Sequence, residues 1–147
     1  MRDGQPSQTA RVAAAHRAIH QKLEGGAIFK DPFASTILDE ETAARLDEIA
    51  ANSLPRMRLL IAARSRFSED TMADCIASGT RQVVVLGAGL DTFALRNPYA
   101  ELGVRVFEVD YPATQAWKRD RLRAAGLAEP PLPSRRSILN GKALRKG

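Results

Sequence analysis

The sequence predicts an α/β protein in which a helical N-terminal stretch leads into a parallel sheet that begins past the middle of the chain. Three observations carry this. Residues Val83-Val84-Val85-Leu86 form an apolar run without polar alternation, and Val104 to Val109 form a second one. Such runs suit parallel strands buried on both faces. Between them lie the glycine turn Gly87-Ala88-Gly89 and a short helical segment, Asp91 to Arg96, closed by Asn97-Pro98. Before Arg81 the apolar residues recur at helical spacing in several successive segments.

The chain has 147 residues, one domain's worth. As a compact unit it would bury roughly 68–70% of its unfolded surface. There is no apolar run of transmembrane length and no signal-type N-terminus, which points away from membranes and toward the cytoplasm. The single Cys75 excludes an intrachain disulfide and suits a reducing compartment. As a thiol within a helical pattern, it reads as a small buried hydrophobe. The formal charge of +5 is local. Arg135, Arg136, Lys142, Arg145 and Lys146 lie in the last 14 residues, which hold no acid, and without them the chain has 17 basic and 17 acidic residues. A nucleic-acid surface needs a basic face with aromatics or a known motif, and the body has neither.

In chain order, residues 1–8 are polar and expected to fray. Thr9 to Glu24 reads as a helix with Val12, Ala15, Ile19 and Leu23 on its apolar side, ended by Gly25-Gly26. His16 and His20 could share a face, but no third ligand accompanies them, so they read as surface or partly buried histidines rather than a metal site. Asp31-Pro32-Phe33-Ala34 reads as a helix start, capped by Asp31, with Phe33 and Ile37 inward. Glu40 to Ala51 reads as one helix. A longer helix spans about Pro55 to Ser78, with Leu60, Ile61, Phe67, Met72 and Ile76 apolar and Gly79 as its stop. Its segment from Arg64 to Asp70 reads as a solvated face with an Arg66–Asp70 ion pair, or as the place where an arginine meets a ligand carboxylate. After the second strand, Tyr111-Pro112 opens a helix to about Ala125 with Trp117 and Leu122 as its apolar contacts, stopped by Gly126. Pro130, Pro131 and Pro133 break regular structure, and the basic tail beyond reads as disordered.

The chemistry centres on the glycine turn. Glycines after a strand let backbone approach a ligand closely. Asp110 ends the second strand 21 residues after Gly89, where a carboxylate can accept from both hydroxyls of a ribose. The dinucleotide fingerprint G-x-G-x-x-G requires a third glycine, and Thr92 stands there. That favours S-adenosylmethionine, which carries no pyrophosphate, over NAD.

Residues Val84-Val85-Leu86-Gly87-Ala88-Gly89-Leu90-Asp91-Thr92-Phe93-Ala94-Leu95-Arg96, with Phe107-Glu108-Val109-Asp110-Tyr111-Pro112 and the residues on to Lys118, resemble the leucine carboxyl methyltransferase family. The bacterial O-methyltransferase branch is most similar. Asp31-Pro32-Phe33-Ala34 and Arg64-Ser65-Arg66-Phe67 match the same pattern, and the resemblance covers about residues 10–130. It implies an incomplete class I methyltransferase (Rossmann-like) parallel sheet. Residues 1–79 would be an N-terminal helical cap, 80–130 the start of the cofactor-binding domain, and 131–147 a basic tail. It implies that Gly87 and Gly89 line the methionine arm of S-adenosyl-L-methionine, that Asp110 holds the ribose, and that Arg64 grips the cofactor carboxylate. Glu108 is expected to serve packing or a cap contact. The implied reaction is methyl transfer to a carboxylate or hydroxyl of a small molecule, with no nucleic-acid or membrane partner and no catalytic residue named. The chain departs from the family after Gly126, where a third strand, an adenine site and an acceptor pocket are expected. A truncated or frameshifted product that binds cofactor weakly or not at all, and is inactive by itself, is therefore expected. The alternatives are an NAD-binding oxidoreductase fragment and a non-enzymatic interaction module.

Overall fold

The computed structural model describes residues 6–129. Helix α1 spans Gln8–Leu23, α2 Glu40–Ala44, α3 Leu46–Asn52 and α4 Pro55–Ala77. Strand β1 (Gln82–Leu86), helix α5 (Phe93–Arg96), a 3-10 turn (Ala100–Leu102), strand β2 (Arg105–Val109) and helix α6 (Pro112–Ala124) follow. β1 and β2 pair in parallel, with Gln82 opposite Arg105 and Leu86 opposite Val109. The result is an α/β arrangement around a small parallel sheet.

α1 is the central helix. Ser7 caps it, its Oγ accepting from the Ala10 N–H at 3.1 Å, and the helix starts at Gln8. Residues Ala14 to Ile19 and His20 are all buried, a span of nearly two turns. A helix covered on every side has no single apolar stripe. The expected stripe fails accordingly: Ala15 and Ile19 are buried, while Val12 and Leu23 are exposed. His16 and His20 are interior, not surface, residues. His20 Nε2 accepts from the Ile28 and Phe29 N–H groups, and Nδ1 lies 3.0 Å from Glu24. The alanines allow neighbours to approach α1 closely, and α2, α3 and α4 all touch it. The core joins Ala14, Ala15 and Ala18 to Ala34, Ile37, Leu38, Leu90 and Leu122.

Four other expectations are corrected. Residues 32–37 form turns, not a helix. Asp31 does accept from the Phe33 N–H at 3.2 Å, but its buried carboxylate is also engaged in long-range bonds, and the backbone closes an Asx turn instead of propagating. The single helix over Glu40 to Ala51 is two, broken at Arg45, where Glu48 takes the Arg45 side chain at 2.9 Å. Cys75 is exposed rather than buried. Phe67 and Leu60 of α4 also face outward, at 73% and 63% exposure, whereas Ile61 and Ile76 are buried.

The strands differ from expectation in burial, not in position. Val84 and Leu86 of β1 are 51% and 77% exposed, with Val83 and Val85 half-buried. In β2, Val106 and Phe107 are buried and Val109 is exposed. Among the described residues β2 is the one strand paired with β1, so one face and one edge of β1 carry no cover from them. The tail from 131 lies outside the described residues, as do Pro130 and the residues before Pro6.

Candidate functional site

The turn between β1 and α5 holds its shape by its own hydrogen bonds. The Gly87 and Ala88 N–H groups donate to the Val109 carbonyl at 2.8 and 3.3 Å, and the Asp91 N–H donates to the Ala88 carbonyl at 2.7 Å. The Gly89 N–H donates to Asp110 Oδ2 at 2.5 Å. Four of the turn's amides are therefore used inside the protein. Both glycines need their residue type. Gly87 (φ +64°) and Gly89 (φ +51°) sit in the left-handed region. At Gly89 there is a second demand, since a Cβ there would lie 3.0 Å from the Ala10 Cβ of α1.

Asp110 is half-buried at the end of β2. Its Oδ1 accepts from the Tyr111 N–H and its Oδ2 from Gly89. Each carboxylate oxygen has two acceptor positions, so one on each remains for a ligand. Arg64 projects from α4 as an exposed side chain with no hydrogen bond or ion pair among the described residues. Its neighbour Arg66 pairs with Asp70 at 2.7 Å, as the spacing predicts.

These four expected residues meet. A cleft of about 540 Å³ is lined by Arg64 and Ser68 of α4, by Gly87, Gly89 and Asp110, and by the first two turns of α1. Arg64 and Asp110 are 46 positions apart in the chain, and packing of α4 against α1 brings them to one opening. The cleft's acids, Asp91 and Asp110, both already accept backbone N–H bonds.

Two lining or supporting residues were not foreseen. Arg17 of α1 lines the cleft. Its Nε donates to Asp31 Oδ2 at 2.9 Å and its Nη2 to the Leu90 carbonyl at 2.7 Å. The Asp31 Oδ1 also accepts from the Thr92 hydroxyl at 2.7 Å, which in turn accepts from Arg96 Nε at 3.1 Å. Arg96 reaches Glu69 of α4 at 2.6 Å and lies over the Phe29 ring, 5.0 Å from its centroid. The only sequence signal was an arginine inside the apolar run Ala13-Ala14-Ala15-His16-Arg17-Ala18-Ile19. The second is Lys118 of α6, whose Nζ donates to both Glu108 carboxylate oxygens at 2.7 Å and to the Asp91 carbonyl. Glu108 is thus an ion-pair partner. Burial pushes its carboxyl pKa up, and Lys118 opposes that shift. Among the described residues no group of three or more His, Cys, Asp or Glu side chains could hold a metal. No helix among them is long and apolar enough to cross a membrane.

The sequence model of the leucine carboxyl methyltransferase family matches residues 10–139. A Bacillus subtilis protein, YktD, is 32% identical over 88% of this chain and 51% of its own length. The Streptomyces coelicolor protein SCO7813 is 37% identical over 78% of this chain and 42% of its own. One from Mycobacterium sp. strain KMS is 38% identical over 65% of this chain and 40% of its own. Each bears a provisional name as an S-adenosyl-L-methionine-dependent methyltransferase. The chain spans about half the length of the curated relatives it matches, or somewhat less.

Proposed function

This chain belongs to the leucine carboxyl methyltransferase family, and on that premise we propose that its cleft holds S-adenosyl-L-methionine for methyl transfer to an oxygen of a small molecule. The observation that carries the reading is the convergence of Arg64, Gly87, Gly89 and Asp110 on one opening. In this reading the helices before β1 cap the cofactor turn, and residues 80–130 begin a class I methyltransferase sheet.

The residues fit the cofactor group by group. Asp110 keeps an acceptor position on each oxygen, matched to two ribose hydroxyls. Among the described residues no side chain pairs with the Arg64 guanidinium, whose planar fork suits a carboxylate. Gly87 leaves open space where a side chain would stand, with nothing within 4 Å of a Cβ, so the methionine arm can lie against backbone. The bound cofactor would supply an electrophilic methyl on a sulfonium. The protein's part is to align that arm, fix the ribose and keep water out, which is positioning chemistry.

The dinucleotide alternative is not favoured. A pyrophosphate needs free backbone N–H groups at the turn, and those of Gly87, Ala88, Gly89 and Asp91 are spent on Val109, Asp110 and the turn itself. A carboxylate or hydroxyl is the proposed acceptor group, and the exposed Cys75 suits a reducing cytoplasm.

Saturation-transfer NMR on the 147-residue chain tests this, because it registers weak binding. S-adenosylhomocysteine is expected to receive saturation at its ribose and amino-acid protons. Arg64→Ala should remove the amino-acid signal first and Asp110→Asn the ribose signal. A signal from NAD with none from S-adenosylhomocysteine would sink the reading, as would unchanged signals in both variants.

A further inference from the structure

Two buried cations donate to adjacent carbonyls of the cofactor turn, and they come from distant parts of the chain. Arg17, 73 positions before Leu90, donates to the Leu90 carbonyl at 2.7 Å. Lys118, 27 positions after Asp91, donates to the Asp91 carbonyl. The next residue, Thr92, is tied through its hydroxyl to Asp31. Three consecutive residues immediately after Gly89 are therefore held by side chains from α1, from the turn at Asp31 and from α6.

The charges are arranged so that this is possible inside the protein. A lone buried cation is costly, and each one here has its own acid: Arg17 has Asp31 at 2.9 Å and Lys118 has Glu108 at 2.7 Å. The pairing leaves donors over. Lys118 has three N–H groups, matched by two Glu108 oxygens and one carbonyl. Arg17 is a rigid fork that gives one arm to Asp31 and another to Leu90. Arg17, Asp31 and Lys118 are buried, Lys118 at 3% exposure and Arg17 at 7%, and Glu108 is partly buried, so water competes little with these bonds.

We propose that Arg17 and Lys118 are positioning residues that clamp the Leu90–Asp91 carbonyls and so hold the Gly89 N–H on Asp110, setting the orientation of the ribose-binding carboxylate. Neither residue touches the ligand in this scheme; they act through the turn. The cofactor consequence rests on the function proposed above, while the clamp itself does not.

The test is amide hydrogen exchange on the full chain, read peptide by peptide, alongside saturation-transfer titration with S-adenosylhomocysteine. In the unmodified protein the amides of residues 87–91 should exchange as slowly as those of β2. In Lys118→Met combined with Glu108→Gln, which removes the cation and its buried partner charge together, exchange at 87–91 should rise at least tenfold. Peptides from α1 and α4 should stay protected, and the S-adenosylhomocysteine dissociation constant should rise about tenfold. Arg17→Lys keeps a charge for Asp31 but lacks the fork, and should loosen residues 90–92 in the same selective way; it serves if the double variant does not fold. Fast exchange at 87–91 in the unmodified chain, or a folded variant with unchanged exchange there, overturns the clamp. If S-adenosylhomocysteine never binds while the exchange changes are seen, the clamp stands and the cofactor reading falls.

Discussion

Replacing Gly87 and Gly89 by alanine, one at a time, separates two costs that the turn combines. Both residues have left-handed backbones, at φ +64° and +51°. Alanine in that region costs about 1–2 kcal/mol. At Gly87 the new methyl meets nothing within 4 Å, so that backbone cost is the whole expectation. At Gly89 the Cβ falls 3.0 Å from the Ala10 Cβ, closer than carbon atoms pack, and α1 must move or the turn must. Overpacking of this kind adds about 1–3 kcal/mol. Gly89→Ala should therefore destabilise the chain by about 2–5 kcal/mol and Gly87→Ala by about 1–2, in urea unfolding followed by circular dichroism. A double-mutant cycle isolates the contact. Ala10→Gly alone costs about 0.5–1 kcal/mol through helix propensity, but combined with Gly89→Ala it should recover the overlap part, a coupling of about 1–3 kcal/mol. Equal costs at the two glycines, or no coupling to position 10, would refute the claim that Gly89 is the point where the central helix rests on the turn.

Other expectations follow from the charged groups. Asp31→Asn leaves the Arg17 guanidinium buried without its acid, and should cost about 3–5 kcal/mol in the urea midpoint; a loss below about 1 kcal/mol would contradict the network. Arg66→Ala removes an exposed, solvent-screened pair with Asp70 and should leave the urea midpoint unchanged within error in the same assay. Burial, helped by the Arg58 guanidinium, holds the His16 pKa below its ordinary value. The unfolded chain then takes up a proton at His16 that the folded chain resists. Stability from this source is complete above about pH 6.5 and is lost as the pH falls below it, at up to about 1.4 kcal/mol per pH unit. The urea midpoint should therefore drop more between pH 7.5 and 5.5 in the unmodified chain than in His16→Gln; parallel curves would remove His16 as the cause.

Local chemistry made much of this protein readable. The strands match the two apolar runs to within one residue, and the glycines adopt the positive φ that their place after a strand requires. The ends of α1, α4 and α6 follow glycine stops at Gly25, Gly79 and Gly126. The i,i+4 pair Arg66–Asp70 forms as spaced. Each of these depends on residues a few positions apart. Arg64, Gly87, Gly89 and Asp110 were singled out in the same way, by residue type and motif.

What lay beyond the sequence is what faces what. Nothing local says that α1 is enclosed by α2, α3 and α4, and enclosure is what turns His16, Arg17 and His20 into interior groups. The motif at Asp31 reads as a cap because capping is local; its bonds to Arg17 and Thr92 span 14 and 61 positions. Cys75 and Phe67 are apolar by type and exposed by placement. The valines of β1 read as doubly buried, yet burial belongs to the neighbour that covers a face, and among the described residues that cover is partial. Sequence determined the turn, its two strands and the residues that could meet a cofactor. Tertiary structure alone decided that α1 and α4 bring Arg64 to that turn, and that Arg17 and Lys118 reach its carbonyls, because a side chain's partners are set by packing between elements far apart in the chain.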